Sequence, residues 1–224
     1  MEDERVAKVT EELELERQIV GVRFLVYEKD FENSTAEAVK GKNRLCGYVN
    51  KANHGARIKV VLDNFSCTGG PNQTGMSQAS ESHISGQGMK HCGLYTDLGI
   101  GREICDSFSR IPQKIFALEI GPLSKMEEAD VVIILGMAEQ IMRIMEGYAF
   151  HYGVPKPLIS AGNGAMCSDM TAKPFMRNDI NLSVMCCGAR TSTVSGHGEL
   201  GVGMPSHMFR YVADGVLSTA GSRV

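Results

Sequence analysis

The chain has 224 residues, 43% of them hydrophobic and 22% charged, which is enough for one sizeable core and excludes a disordered chain. A net charge of -3 and a pI near 6.1 supply no broad cationic surface, and this argues against a nucleic-acid partner. No apolar run approaches the roughly 20 residues of a membrane helix. The longest aliphatic block is Val131 to Gly136.

The acidic opening from Glu2 to Glu4 is the reverse of a signal peptide, so a cytoplasmic protein is expected. In that reducing compartment seven cysteines do not read as a disulfide framework. Residues 2–18 carry charges at helical spacing around Val6, Val9, Leu13 and Leu15, which predicts an amphipathic helix packed on the body or on a second subunit. Ile19 to Tyr27 is β-branched and aromatic and predicts a strand; Glu28 to Lys42 predicts a loop or short helix over the surface. Residues 43–54 look helical, with Asn43 as cap and Gly55 as stop, and Cys46 falls in the first turn, where the thiolate is favoured. His54 closes that helix.

Ile58 to Leu62 predicts a strand that empties into a loop containing Cys67, Gly69, Gly70 and Pro71. Residues 72–96, rich in Gly, Ser, Gln and His, predict a long irregular loop. A helix is expected over 97–110 with Cys105 at core spacing, then a strand over 113–119 ending in Gly121-Pro122-Leu123. Asp130 to Leu135 predicts a buried strand, Ala138 to Phe150 a helix rich in Ile and Met, and Pro157 to Ala161 a strand leading to a glycine loop with Cys167. Strand, helix, strand and cysteine-bearing loop thus occur twice. Strands over 181–187 and 199–204 and a helix over 206–216, with Ser206 as cap, close the chain. The expectation is an α/β fold: residues 1–18 an N-terminal helix, then one compact unit over 19–224 built from two similar halves, 19–123 and 124–224, sharing a mixed sheet.

The candidate chemistry is a thiolate site from Cys46, Cys67, Cys167 and Cys186 or Cys187. Each lies at a helix start or in a glycine-flanked loop after a strand. No pair has the Cys-x-x-Cys spacing of zinc or ferredoxin sites, so the ligands would come from distant loops. Cys186 and Cys187 would alternate faces on a strand, which leaves one as ligand. Cys105 reads as packing, and Cys92 beside His91 as a loop thiol. Gly69, Gly70 and Gly188 are the positions where backbone could approach a cofactor. Gly196 to Gly203 is no Walker loop, and a close packing contact is its simpler explanation. Arg190 could hold a carboxylate bidentately; a surface ion pair is the alternative. Ser195, His197 and Glu199 lack the Gly-x-Ser-x-Gly elbow of a hydrolase.

The order of these pieces resembles the ArCR family, domain-of-unknown-function family 169, of archaea and anaerobic bacteria. The resemblance runs from Val20 to Phe24, through Cys46, Ala52 and Gly55, Cys67 with Gly69 and Gly70, Gly121 to Leu123, Asp130 to Ile133 and Gln140. It continues with Cys167, then Cys186, Gly188 and Arg190, Glu199 and Leu200, and ends at Gly203 to Pro205. Cys187 and the 72–96 stretch fall outside it. It brings no reaction. It implies an anaerobe's cytoplasmic α/β protein whose matching cysteines are Cys46, Cys67, Cys167 and Cys186, a setting that favours iron-sulfur over zinc. The resulting expectation is an iron-sulfur protein, with a four-iron four-sulfur cluster, acting as a redox or lyase-type enzyme on a small anionic substrate oriented by Arg190. The alternatives are a zinc- or small-ligand-binding module, or a redox-complex subunit that docks a partner protein through the Met-rich helix at 137–150. Homo-oligomer formation stays open.

Overall fold

The computed structural model describes residues 2–91, 93–192 and 198–221. The first helix, α1 (Glu2–Glu12), buries Val6 and Val9, with Leu13 and Leu15 just beyond it, so the predicted apolar stripe faces this chain's own body. It ends earlier than expected, because Glu14 takes φ 50° and Leu15 N donates to Thr10 O at 2.9 Å, the 6→1 closure of a left-handed helix end. There follow β1 (Val20–Leu25), α2 (Glu28–Asn33), β2 (Glu37–Ala38), α3 (Leu45–Asn53) and β3 (Ile58–Val61). The residue preceding α3 is Arg44 rather than Asn43, whose side-chain oxygen accepts from Arg44 N instead.

The glycines and proline after Cys67 do not exclude regular structure. They start α4 (Gly69–Gln73), because a proline in the first helical turn loses an N–H that has no intrahelical partner there. The expected irregular stretch likewise holds α5 (Glu81–Ile84) and α6 (Gln87–His91), single turns too short to show periodicity. Then come α7 (Leu98–Asp106), whose Ile100 N donates to Asp97 Oδ1 at 3.0 Å, β4 (Ala117–Pro122), β5 (Val131–Gly136) and α8 (Ala138–Tyr152). A π-helix (Ala165–Ala172) runs into α9 (Lys173–Arg177), followed by β6 (Asn181–Ser183), α10 (Cys187–Ser192), β7 (Leu200–Pro205) and α11 (Ser206–Ser218). Ser206 is the first residue of α11, and Pro205 takes the cap position.

One seven-stranded sheet, in the order β2-β3-β4-β1-β5-β7-β6, carries these elements; β2 and β3 are parallel and the other neighbours antiparallel. The mixed α/β class is therefore as expected. The two similar halves are not seen. The second copy needs a strand at 157–161, and no strand forms there because the Asn181 side chain takes the place of a ladder: Ile159 N donates to its Oδ1 at 3.0 Å, and its Nδ2 donates to Ile159 O at 3.1 Å.

The sheet is covered on both faces, which is why β5 reads as an unbroken apolar run. Val132 and Ile134 face α1, α8 and α11 with Val202 and Met204 of β7. Val131, Ile133 and Leu135 face the opposite layer with Val20 and Val22, against α3 and the π-helix. α8 thus serves mainly as core, with Ile141, Ile144 and Tyr148 buried.

Asp130 ties β1 to β5, since Phe24 N donates to its Oδ2 at 2.7 Å. Burial pushes this carboxyl up, against the opposing pull of that hydrogen bond and of Arg23. A carboxyl raised on folding binds its proton more tightly in the native state, so its contribution to stability falls as pH rises from the ordinary aspartate range through the raised value. Asp130→Asn keeps an acceptor for Phe24 and removes that loss. Its unfolding midpoint relative to the unmodified protein is expected to improve from acid to neutral pH; a difference flat with pH would refute the burial account.

Candidate metal centre

Four segments far apart in the chain bring thiols to the same layer. Cys46 is the second residue of α3 and is buried; its Sγ donates to Gly188 O at 3.4 Å. Cys67 is half-buried in the turn between the Asn43–Phe65 bridge and α4. Cys167 is the third residue of the π-helix, and Cys186 directly precedes α10, where its Sγ accepts from Ala189 N at 3.4 Å. Cys67, Cys167 and Cys186 all pack on the core cluster that contains Cys46. The Cys186 Sγ also lies 3.9 Å from where a Cβ on Gly188 would stand, so Cys46 and Cys186 flank one peptide.

Charge on the Cys167 sulfur is costly. Burial pushes the Cys167 thiol well up, and the neighbouring Cys67, Cys46 and Cys186 push it further. A thiol held that far toward its neutral form becomes a thiolate readily beside a compensating cation. Among the described residues no three His, Cys, Asp or Glu side chains are gathered tightly enough for one metal ion. The four sulfurs nonetheless share one apolar layer, each packed on or in the same core cluster.

Two local features aim these sulfurs. Gly164 takes φ 66°, and its carbonyl accepts from both Ser168 N (2.7 Å) and Asp169 N (3.0 Å), opening the wide turn of the π-helix. Met185, buried, takes φ 69° immediately before Cys186, a backbone region that non-glycine residues seldom occupy. Cys186 and Cys187 are thus not on a strand at all: β6 stops at Ser183, Cys186 turns to the core, and Cys187 is exposed at the start of α10.

Of the glycines expected to admit a cofactor, Gly70 is closed, since a Cβ there would stand 3.0 Å from Leu45 and 3.2 Å from Phe65. Gly69 and Gly188 have ordinary clearance. In β7, Gly201 and Gly203 face the π-helix, and a Cβ on Gly203 would fall on the backbone of Met170. The backbone that this glycine-rich segment approaches is the chain's own. Gly203→Ala is expected to lower stability by about 1–3 kcal/mol, the usual cost of overpacking, while an alanine at the open Gly69 costs less; thermal melts of the two variants decide it.

Arg190 is exposed, and its Nη2 donates to Val184 O and Glu199 O, both at 3.3 Å. Glu199 is buried and held by Arg17, with Nε to Oε1 at 2.7 Å and Nη2 to Oε2 at 3.2 Å. Ser195, His197 and Cys92 lie outside the described residues. Cys105 is buried in α7 as packing, and His54 Nδ1 lies 2.7 Å from Asn50 O at the end of α3.

A buried polar network behind the thiols escaped the sequence reading. Lys173 Nζ donates to Asp169 Oδ1 (3.2 Å) and Ile159 O (3.1 Å), while Ser160 (2.8 Å) and Ser183 (3.0 Å) donate to Asp169 Oδ2. Ser183 Oγ also accepts from Met185 N at 3.2 Å, and Asn181 Nδ2 donates to Asp169 O at 3.0 Å. This network fastens the helix carrying Cys167 to the strand leading into Cys186. Its signal was the i, i+4 spacing of Asp169 and Lys173, legible only once the segment is helical.

Fold and site together define a mixed α/β protein with cysteines from four separate segments gathered on one side of its sheet. The chain belongs to the uncharacterised ArCR family, domain of unknown function 169, whose pattern matches residues 8–215. It is similar to the uncharacterized protein MJ0308 of Methanocaldococcus jannaschii, 20% identical over 216 residues that span 95% of this chain and 92% of that protein. No solved structure matches the chain. Among the described residues no helix is long and apolar enough to cross a membrane.

Proposed function

We propose that this chain is an iron-sulfur protein, a redox or lyase-type enzyme for a small anionic substrate, with Cys46, Cys67, Cys167 and Cys186 as the thiolates. The convergence of these four sulfurs supports the reading. The donor set is all thiol and sits against an apolar core. A cluster held by four thiolates would carry electrons, and one held by three would keep an iron open as a Lewis acid toward substrate oxygen or sulfur. The chain's part is to exclude water with the core around Met166, Met170 and Met185 and to hold the sulfurs in place through the Asp169 network.

The test is anaerobic purification followed by a visible spectrum with iron, zinc and acid-labile sulfide assays. Brown protein with matching iron and sulfide is the expected result. Colourless protein carrying zinc would shift the assignment to a structural zinc module, and protein without metal would remove the metal reading altogether.

A further inference from the structure

A half-buried guanidinium without a countercharge stands beside the Cys67 segment. Arg110 Nε donates to Asn72 Oδ1 at 2.9 Å and its Nη2 to Cys105 O at 3.2 Å, both uncharged acceptors. Among the described residues no carboxylate forms an ion pair with it, and its Nη1 meets no protein acceptor. Asn72 is 4% exposed, and its Nδ2, on the same amide as the oxygen that Arg110 holds, has no partner. Gln73, 2% exposed, leaves its Oε1 unpartnered as well. On the flank, Thr68 Oγ1 lies 3.4 Å from His83 Nε2, and Ser80 Oγ lies 3.0 Å from His83 Nδ1. Burial and Arg110 hold His83 below its ordinary value, so the imidazole is neutral at pH 7 and Arg110 is the cation of the group.

Buried polar groups are nearly always paired, and an arginine drawn into the protein normally finds an anion. Here the donors lacking partners are a guanidinium Nη1 and an amide Nδ2, on two side chains joined by the Nε–Oδ1 hydrogen bond. Both sit on or against α4, the helix that starts two residues after Cys67. We propose that Arg110 and Asn72, flanked by Thr68, form a subsite for the oxyanion group of a small molecule, a carboxylate or a phosphate, with Gln73 Oε1 accepting from a neighbouring O–H or N–H of the same ligand. That the ligand is a substrate of the thiol centre rests on the function proposed above; the anion binding itself does not.

Calorimetric titration of the full chain with inorganic phosphate, and separately with acetate, tests the subsite. The unmodified protein is expected to bind one of the two anions, phosphate binding marking a phosphate-bearing ligand and acetate binding a carboxylate. Arg110→Gln should weaken that binding about tenfold or more, as loss of a charged hydrogen-bond donor does. Asn72→Asp gives Arg110 an internal carboxylate, so affinity should fall as far while the circular dichroism melt holds or rises, which separates lost binding from lost folding. Binding of neither anion by the unmodified protein, or unchanged affinity in both variants, overturns the proposal. Iron and sulfide assayed on the same samples keep the two readings apart. Arginine-dependent binding in metal-free protein sinks the cluster alone, and cluster-loaded protein indifferent to both anions sinks the subsite alone.

Discussion

Cys67→Ala is expected to abolish the iron and acid-labile sulfide of anaerobically purified protein, and Cys105→Ala to leave both unchanged. The two thiols differ in company rather than in chemistry. Cys67 shares its surroundings with Cys46, Cys167 and Cys186, and together with Cys46 and Cys186 it makes a Cys167 thiolate costlier. Cys105 is fully buried in α7, and the same burial pushes its thiol up. Cys187→Ala belongs beside Cys105→Ala as a retained variant, because its side chain is exposed while that of Cys186 packs on the core. Circular dichroism must accompany the assays, since Cys105→Ala opens a small cavity at a site with no access to solvent. Equal iron in the Cys67 and Cys105 variants would remove the cluster assignment. Loss with Cys187→Ala and retention with Cys186→Ala would move the fourth ligand by one residue.

Periodicity made α1, α8 and α11 legible, and short unbroken runs of apolar and β-branched residues did the same for β1 and β5, which are buried on both faces. The four cysteines were legible for a different reason: glycines and strand ends around them mark places where chain direction changes. What stayed hidden depends on partners distant in sequence. Gly201 and Gly203 look like a ligand cradle until Met170 is placed against them. The apolar run at 157–161 looks like a strand until the Asn181 side chain supplies its hydrogen bonds. The carbonyls of Val184 and Glu199 that meet Arg190 Nη2 are likewise set by chain direction and not by local sequence. Arg110 carried no local signal at all; only its lack of a carboxylate in three dimensions distinguishes it.

Asp169→Ala is the second large effect expected, on stability and on the thiol site together. Asp169 and Lys173 are 1% and 2% exposed, so removing the carboxylate leaves an ammonium without a counterion in the interior, along with Ser160 and Ser183 without their shared acceptor. Breaking a buried pair from one side costs about 3–5 kcal/mol, a fall in melting temperature on the order of 10 °C for a chain of this size. Lys173→Met in the same chain removes the stranded charge and should recover part of that loss. Position is separable from stability by a control on the far face of the sheet. Arg57 pairs with the buried Glu119 at 2.8 Å, and Arg57→Met should also cost stability. It touches neither the π-helix nor the strand before Cys186, so its iron and sulfide per mole of folded protein should match the unmodified chain. Asp169→Ala should lose both, because Ser183 then no longer ties the Cys167 helix to the segment that aims Cys186, and only the Asn181 bond to the residue-169 backbone carbonyl is left. If the Asp169 variant, assayed well below its melting temperature, keeps its full metal content, the network stabilises the fold without positioning the thiols, and the turn at Met185 alone must direct Cys186.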